Sequence, residues 1–249
     1  MNLPKAVGII PARYHSSRLP GKPLSDIGGK PMIQHVYENA LRASVLDAVI
    51  VATDDARIVA AVEGFGGRAA MTSPDHPTGS DRIAEVARGL EAEVVVNIQG
   101  DEPFISPRML EEVVAPMLED PQLPMCTLMN EIPEESFGDP SVVKVVTNLN
   151  GDALYFSRSL IPYPRNREGH KAFEHIGIYA YRREFLLTYT AMAATPLERF
   201  ESLEQLRVLE HGHRLKVVLT RAEDYIPLSV DTPEDLERAR QLYRERQAL

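Results

Sequence analysis

Four short apolar runs recur through the first hundred residues, Ala6–Ile10, Asp47–Asp54, Arg68–Met71 and Val94–Ile98, and a helical pattern separates each from the next. The first of these helices spans Pro31–Leu41, with Ile33, Val36, Tyr37, Ala40 and Leu41 at helical spacing and a proline in its first turn. Asp55–Phe65 and Thr78–Leu90 supply the other two. Strands this short and this apolar, alternating with helices, indicate βαβ units around a parallel sheet covered on both faces. The expectation is therefore an α/β chain with a doubly wound, mainly parallel, Rossmann-like sheet. The second half is less regular. Val142–Thr147 and Ala153–Ser157 read as strands about an Asn150-Gly151 turn, His175–Tyr181 and Leu215–Leu219 as further strands, and Glu184–Ala191 and Glu201–His211 as helices. An antiparallel insertion of this kind is expected to build a second-substrate pocket, and the proline- and charge-rich stretch 162–171 a mobile loop.

The first strand runs into Pro11-Ala12-Arg13-Tyr14-His15-Ser16-Ser17-Arg18-Leu19-Pro20-Gly21-Lys22-Pro23-Leu24, and no acidic residue precedes Asp26. The whole chain of 249 residues is acidic, at −9. A basic loop at the end of a buried strand, in an acidic protein, points to a site for one small and highly charged anion, because open α/β sheets bind ligands at their strand ends. Pro11 and Pro20 stiffen that loop and Gly21 permits close backbone approach, which reduces the ordering cost of binding. The acidic balance argues against a nucleic-acid surface. No apolar run approaches the ~18 residues of a membrane span, and the start lacks a secretory signal. Cys126, the single cysteine, cannot form an internal disulfide and reads as a packing residue on an apolar run; with the missing signal, this predicts a cytoplasmic protein. Gly64-Phe65-Gly66-Gly67-Arg68-Ala69 satisfies a dinucleotide fingerprint formally but lies between a helix and a strand, the reverse of the required order.

Three further stretches carry chemistry. Asn97-Ile98-Gln99-Gly100-Asp101-Glu102 places carboxylates at a strand end, where Asp101 is either a Mg²⁺ ligand or a turn-forming residue. Ser229-Val230-Asp231-Thr232-Pro233-Glu234-Asp235 reads as an extended segment entering a helix, with Thr232 as N-cap, Pro233 first in the helix and Asp235 closing a capping box. That machinery accounts for every residue but Asp231, which is open to a role in metal binding with Asp101. Thr72–Arg82 is dense in hydroxyls and glycine ahead of a helix, and Arg82 opposes the helix dipole one turn in, so it is either held there for an anion or simply solvated. Arg158, after a strand, is of the same kind. His175 alone would read as a core histidine on a strand.

These residues, together with Gly29–Ile33, Val142–Val146, Ala153–Arg158, His175–Tyr179 and Leu203–Arg207, resemble the 3-deoxy-manno-octulosonate (Kdo) cytidylyltransferases, which make an activated sugar for lipopolysaccharide assembly. The resemblance runs nearly end to end. It implies one nucleotidyltransferase domain over 1–249, with a nucleotide-binding half (1–130), a sugar-binding and dimerisation insertion (131–220) and a closing segment (221–249). It further implies that Arg13 and Lys22 hold the CTP phosphates beside Ala12 and Ser16, and that base and ribose lie near Thr72, Asp75 and Gly79. Asp101 and Asp231 are the implied Mg²⁺ carboxylates, and Lys22, Arg13, Asp101 and Asp231 the catalytic set. Arg82, Gln99, Arg158, His175, Tyr179, Glu204 and Gln205 are the implied sugar-acid pocket. The sequence departs at Tyr163, where some members carry tryptophan, and in a shorter Pro162–Glu174, both on the sugar side. The implied reaction is Mg²⁺-dependent transfer of CMP from CTP to Kdo in a cytoplasmic homodimer with no nucleic-acid or membrane partner. A sialic acid or 8-amino-Kdo as acceptor, or a non-catalytic regulator of the same fold, are the other readings.

Overall fold

The apolar run at the start becomes β1 (Ala6–Ala12), whose Ile9 and Ile10 are fully buried. The computed structural model describes residues 6–16 and 18–247, so Ser17 of the basic loop lies outside the described residues. The chain divides into two compact units, one reaching Glu111 and resuming at Ala222, the other spanning Glu112–Arg221.

In the first unit a small hairpin of β2 (Asp26–Ile27) and β3 (Lys30–Pro31) leads into α1 (Met32–Leu41). There follow β4 (Ala48–Thr53), α2 (Ala56–Gly64), β5 (Ala69–Met71), α3 (Gly79–Arg88) and β6 (Val94–Asn97). The strands lie in the order β6-β1-β4-β5 and every pairing is parallel. This is the doubly wound alternation expected from the sequence, with helix starts set by local chemistry. Asp55 caps α2 by accepting from the Arg57 amide at 2.9 Å, and Thr78 forms a capping box with Asp81 on α3. Pro31 stands at the N-cap of α1, just outside the helix.

The next helix, α4 (Pro107–Glu119), begins in this unit and contains the boundary. The second unit continues with β7 (Met125–Ile132), β8 (Lys144–Thr147), β9 (Ala153–Ser157), β10 (Ala172–Arg182), α5 (Arg183–Ala191), α6 (Pro196–Glu201), α7 (Leu206–Glu210) and β11 (Lys216–Leu219). Its strand order is β11-β7-β10-β8-β9, antiparallel throughout apart from β11 on β7. Of the helix expected over Glu201–His211 only α7 forms, while α6, which was not expected, ends at Glu201, where Ser202 turns left-handed at φ 53°. That break takes the Glu201 carbonyl out of a helical ladder and leaves it available elsewhere.

The chain returns to the first unit with α8 (Pro233–Gln247). Leu228, Val230, Leu236 and Ala239 pack there with Ile27, Met32 and Phe104 in one buried cluster. Among the described residues no helix is long and apolar enough to cross a membrane.

Candidate active site

In the first unit the ends of β1 and β6 open into a cavity of about 430 Å³ lined by Ala12, Arg13, Ser16, Arg18, Lys22, Gly79, Gln99 and Asp101, among others. The basic loop is folded against its own backbone, with the Gly21 amide donating to the Tyr14 carbonyl at 2.9 Å. Gly21 has φ 71°, a left-handed backbone that favours glycine, and a Cβ there would press on the Tyr14 ring at 3.2 Å. Across the cavity a Cβ on Gly100 would come within 2.8 Å of the Pro11 carbonyl oxygen. The close approach of these two turns brings Gln99 and Asp101 beside the loop.

Lys22 lies between two carboxylates distant in sequence: Nζ donates to Asp101 Oδ2 at 2.8 Å and to Asp231 Oδ1 at 3.0 Å. Burial works against the ammonium, but Asp101 and then Asp231 more than offset it, and the Lys22 pKa is raised. Asp231 also takes Arg18 Nη2 at 3.1 Å. Backbone contacts hold the pair in register. The Val230 amide donates to the Asp101 carbonyl at 2.9 Å, and Asp235, while completing the capping box with Thr232, accepts from the Asp231 amide at 3.1 Å. The helix cap therefore aims Asp231. Arg18 was not among the expected site residues, although its place in the acid-free stretch was the available signal.

Arg13 donates to the His76 carbonyl at 2.6 Å, tying the loop after β1 to the segment ahead of α3. Of the residues expected near base and ribose, Gly79 lines the cavity, Asp75 is exposed, and Thr72 is buried beneath Arg82. Arg82 corrects its sequence reading in one respect. It is fully buried, donating to Asp54 at 2.8 Å and to the Thr72 hydroxyl, so it is not a solvated arginine, and the anion that offsets its unfavourable place in the helix dipole is a carboxylate of this chain. Of its guanidinium atoms, Nε has no hydrogen-bond partner among the described residues.

The second unit gathers a different set. His175 and Tyr179 on β10 flank a register shift against β7, where Ile176 pairs with Leu128 and Tyr179 with Thr127. The bulge brings the two rings to 5.3 Å, and Phe156 meets His175 edge-on at 5.0 Å. Thr127 fills the bulge, its hydroxyl 2.8 Å from the Ile178 carbonyl and 3.0 Å from His175 Nε2. With the hydroxyl proton on a carbonyl, Nε2 carries the ring proton and donates to Thr127, and Nδ1 accepts a long 3.5 Å bond from Gln205, itself buried at the start of α7. His175 keeps partial exposure, yet enough of the ring is enclosed that burial pushes its pKa down to about 3. Burial, then Tyr189 and Glu204, raise the Tyr179 phenol well above its ordinary value. The Glu204 carbonyl accepts from the Tyr189 hydroxyl at 3.2 Å.

Arg158 follows β9. Its Nε donates to the Glu201 carbonyl at 2.8 Å and its Nη1 to the Pro140 carbonyl at 3.0 Å, while its amide donates to the Glu201 carboxylate at 3.0 Å. Thr127 and Glu201 were missed by the sequence reading. Neither lies in a motif, and each acts through a bulge or helix break that only the folded backbone reveals.

A family model described as "Cytidylyltransferase" matches residues 7–225. A curated relative from Syntrophotalea carbinolica, named 3-deoxy-manno-octulosonate cytidylyltransferase, is 52% identical over 240 residues, covering 92% of this chain and 95% of that protein. A second of the same name from Geotalea daltonii is 52% identical over 97% of this chain and 99% of its own length. The solved structure of CMP:2-keto-3-deoxy-manno-octonic acid synthetase complexed with CTP superposes with a TM-score of 0.93 at 51% identity, covering 98% of this chain and 100% of that one.

Proposed function

The chain belongs to the 3-deoxy-manno-octulosonate cytidylyltransferase family, and we propose that it transfers CMP from CTP to the anomeric hydroxyl of Kdo, yielding CMP-Kdo and pyrophosphate. The observation that carries this reading is the convergence of Lys22, Asp101 and Asp231 beside a basic cavity, in a chain 51% identical to a synthetase solved with CTP. The anomeric oxygen forms a bond to the α-phosphorus, the bond from that phosphorus to the bridging oxygen breaks with its electron pair on pyrophosphate, and the hydroxyl proton is released. Such chemistry rests on positioning and charge neutralisation more than on covalent help from the protein.

Arg13 and Lys22 hold the phosphates, with Ala12 and Ser16 beside them, and the stretch Thr72–Gly79 takes base and ribose. Asp101 and Asp231 fit Mg²⁺: two hard oxygen donors already converge on one cationic nitrogen, and Mg²⁺ needs only one or two protein carboxylates when phosphates and water complete its shell. When bound, the metal supplies charge neutralisation at the α-phosphate and lowers the pKa of the attacking hydroxyl. Arg158 takes the sugar carboxylate as a charge-assisted donor, and His175, Tyr179, Glu204 and Gln205 present neutral and acceptor groups to its hydroxyls. The protein acts as a cytoplasmic homodimer supplying lipopolysaccharide assembly. The exposed Phe200 and Leu154 of the second unit, 83% and 60% accessible, support the dimer.

Pyrophosphate release measured with four nucleotides and a panel of ulosonic acids tests the assignment. CTP with Kdo should give the highest turnover. Equal turnover with ATP and GTP would overturn the base assignment, and preference for a sialic acid or 8-amino-Kdo would overturn the sugar.

A further inference from the structure

Lys144 stands out as a fully buried lysine at the first residue of β8, flanked by valines in Val142-Val143-Lys144-Val145-Val146. A buried charge is costly unless its hydrogen bonds are met. Its ammonium has three protons and three acceptors, the carbonyls of Asp139 at 2.6 Å, Val142 at 2.8 Å and Arg158 at 3.0 Å. None of the three is a carboxylate, so the contact is a tie between backbone segments rather than an ion pair. Burial alone would lower this lysine's pKa, and nearby Asp139 only partly opposes that.

The geometry points to Lys144 as a positioning residue for the guanidinium of Arg158, and hence for selection of the sugar carboxylate. Two ties converge on Arg158. Lys144 holds the Arg158 carbonyl directly. It also clamps both ends of segment 139–142, and that segment provides the Pro140 carbonyl to which Arg158 Nη1 donates. Lys144 pairs with Ser157 in the β8–β9 ladder, so the ammonium closes the open end of the hairpin from which Arg158 projects. With Nε on Glu201 and Nη1 on Pro140, the guanidinium is fixed in orientation and Nη2 remains to meet an anion. A rotamer-rich side chain is thus ordered before substrate arrives, which is how preorganisation raises affinity. The inference rests on Arg158 being the carboxylate clamp proposed above.

The experiment compares Lys144→Met, Arg158→Lys and the double variant by pyrophosphate release, with separate Michaelis constants for Kdo and CTP and a thermal melt for each. Lys144→Met should raise the Kdo constant about tenfold or more, the scale of one lost charge-assisted hydrogen bond, and leave the CTP constant within about twofold. On the Kdo constant the double variant should be little worse than Arg158→Lys alone, because both act through one guanidinium. If Arg158→Lys leaves the Kdo constant unchanged, the clamp reading itself fails. If Arg158→Lys raises it and Lys144→Met does not, or if Lys144→Met shifts both constants equally, the positioning role is overturned and Lys144 is a fold residue only. Should the Met variant not fold, Lys144→Gln, which keeps one donor group, is read by the same two constants.

Discussion

The two units use charge in opposite ways. In the first, cations and carboxylates neutralise one another across the cavity mouth while staying partly wet: the side chain of Lys22 keeps 15% exposure, that of Asp231 39% and that of Arg18 62%. In the second, the groups proposed to meet the sugar include the neutral ring of His175 and the Arg158 guanidinium, a cation held by carbonyls as the Lys144 ammonium behind it is. Ion pairs in a wet site are weak and readily exchanged. On the proposed function that difference is useful. Triphosphate can draw Arg18 and Lys22 toward itself and release Asp101 and Asp231 for a metal, so the first unit must reorganise its charges on binding. The second unit requires no such exchange, because its hydrogen bonds are made to backbone and to neutral partners before a sugar arrives.

The largest effect is expected where exchange is essential. Asp101→Asn and Asp231→Asn keep shape and remove charge, and each should lower Mg²⁺-dependent turnover by ~10² or more while leaving metal-free CTP binding nearly intact. Because the two carboxylates act as a unit, the double variant should be little worse than the poorer single one. Multiplying losses, or normal Mg²⁺-dependent turnover in Asp231→Asn, would reduce Asp231 to a preface to the α8 cap and remove the contrast between the units.

A smaller and more selective loss is expected from the second unit. Arg158→Leu should raise the Michaelis constant for the sugar acid by about tenfold or more and leave that for CTP in place. If neither constant moved in a folded variant, Arg158 would be a hairpin-end residue whose carbonyl contacts serve only the fold.

The same division decides what could be read without coordinates. In the first unit the alternation of strands and helices, the basic loop and the Thr232 cap are all local signals, and the observed elements follow them within a few residues. The meeting of Asp101 and Asp231 was suggested because each ends an extended segment, and the Lys22 bridge now gives it geometry. In the second unit, the proposed sugar-side residues are placed by departures from regular structure. The β10 bulge that seats Thr127 against His175 leaves no mark in composition, and the left-handed Ser202 that frees the Glu201 carbonyl delays to Leu206 a helix that reads as starting at Glu201. α4 is not legible in the sequence pattern, although Ser106-Pro107 is a sound start and Met109, Leu110, Val113, Val114 and Met117 recur at helical spacing; Pro116 inside the helix obscures it. Lys144 did carry a signal: a lysine between valine pairs on a strand has to be explained by something that meets its protons.

The finest test of the comparison is the charge state of His175. Its folded pKa, about 3, lies below the ordinary 6.5, so between those values the unfolded chain holds a proton that the folded chain refuses. Stability from this group is therefore complete above pH 6.5 and is lost progressively as pH falls toward 3. A single proton sets a ceiling of ~1.4 kcal/mol per pH unit, and the residual exposure of the ring brings the expected slope to about 1 kcal/mol or less. Carboxylates titrate in the same range, so the measurement is a difference: urea unfolding of the protein and of His175→Asn at pH 7.5, 6.5 and 5.5. The variant lacks the refused proton, and its stability should fall less between pH 6.5 and 5.5. Parallel pH profiles would mean that His175 titrates as an ordinary exposed imidazole. The second unit would then recognise its ligand with a switchable charge, as the first does, rather than with a ring kept neutral by burial.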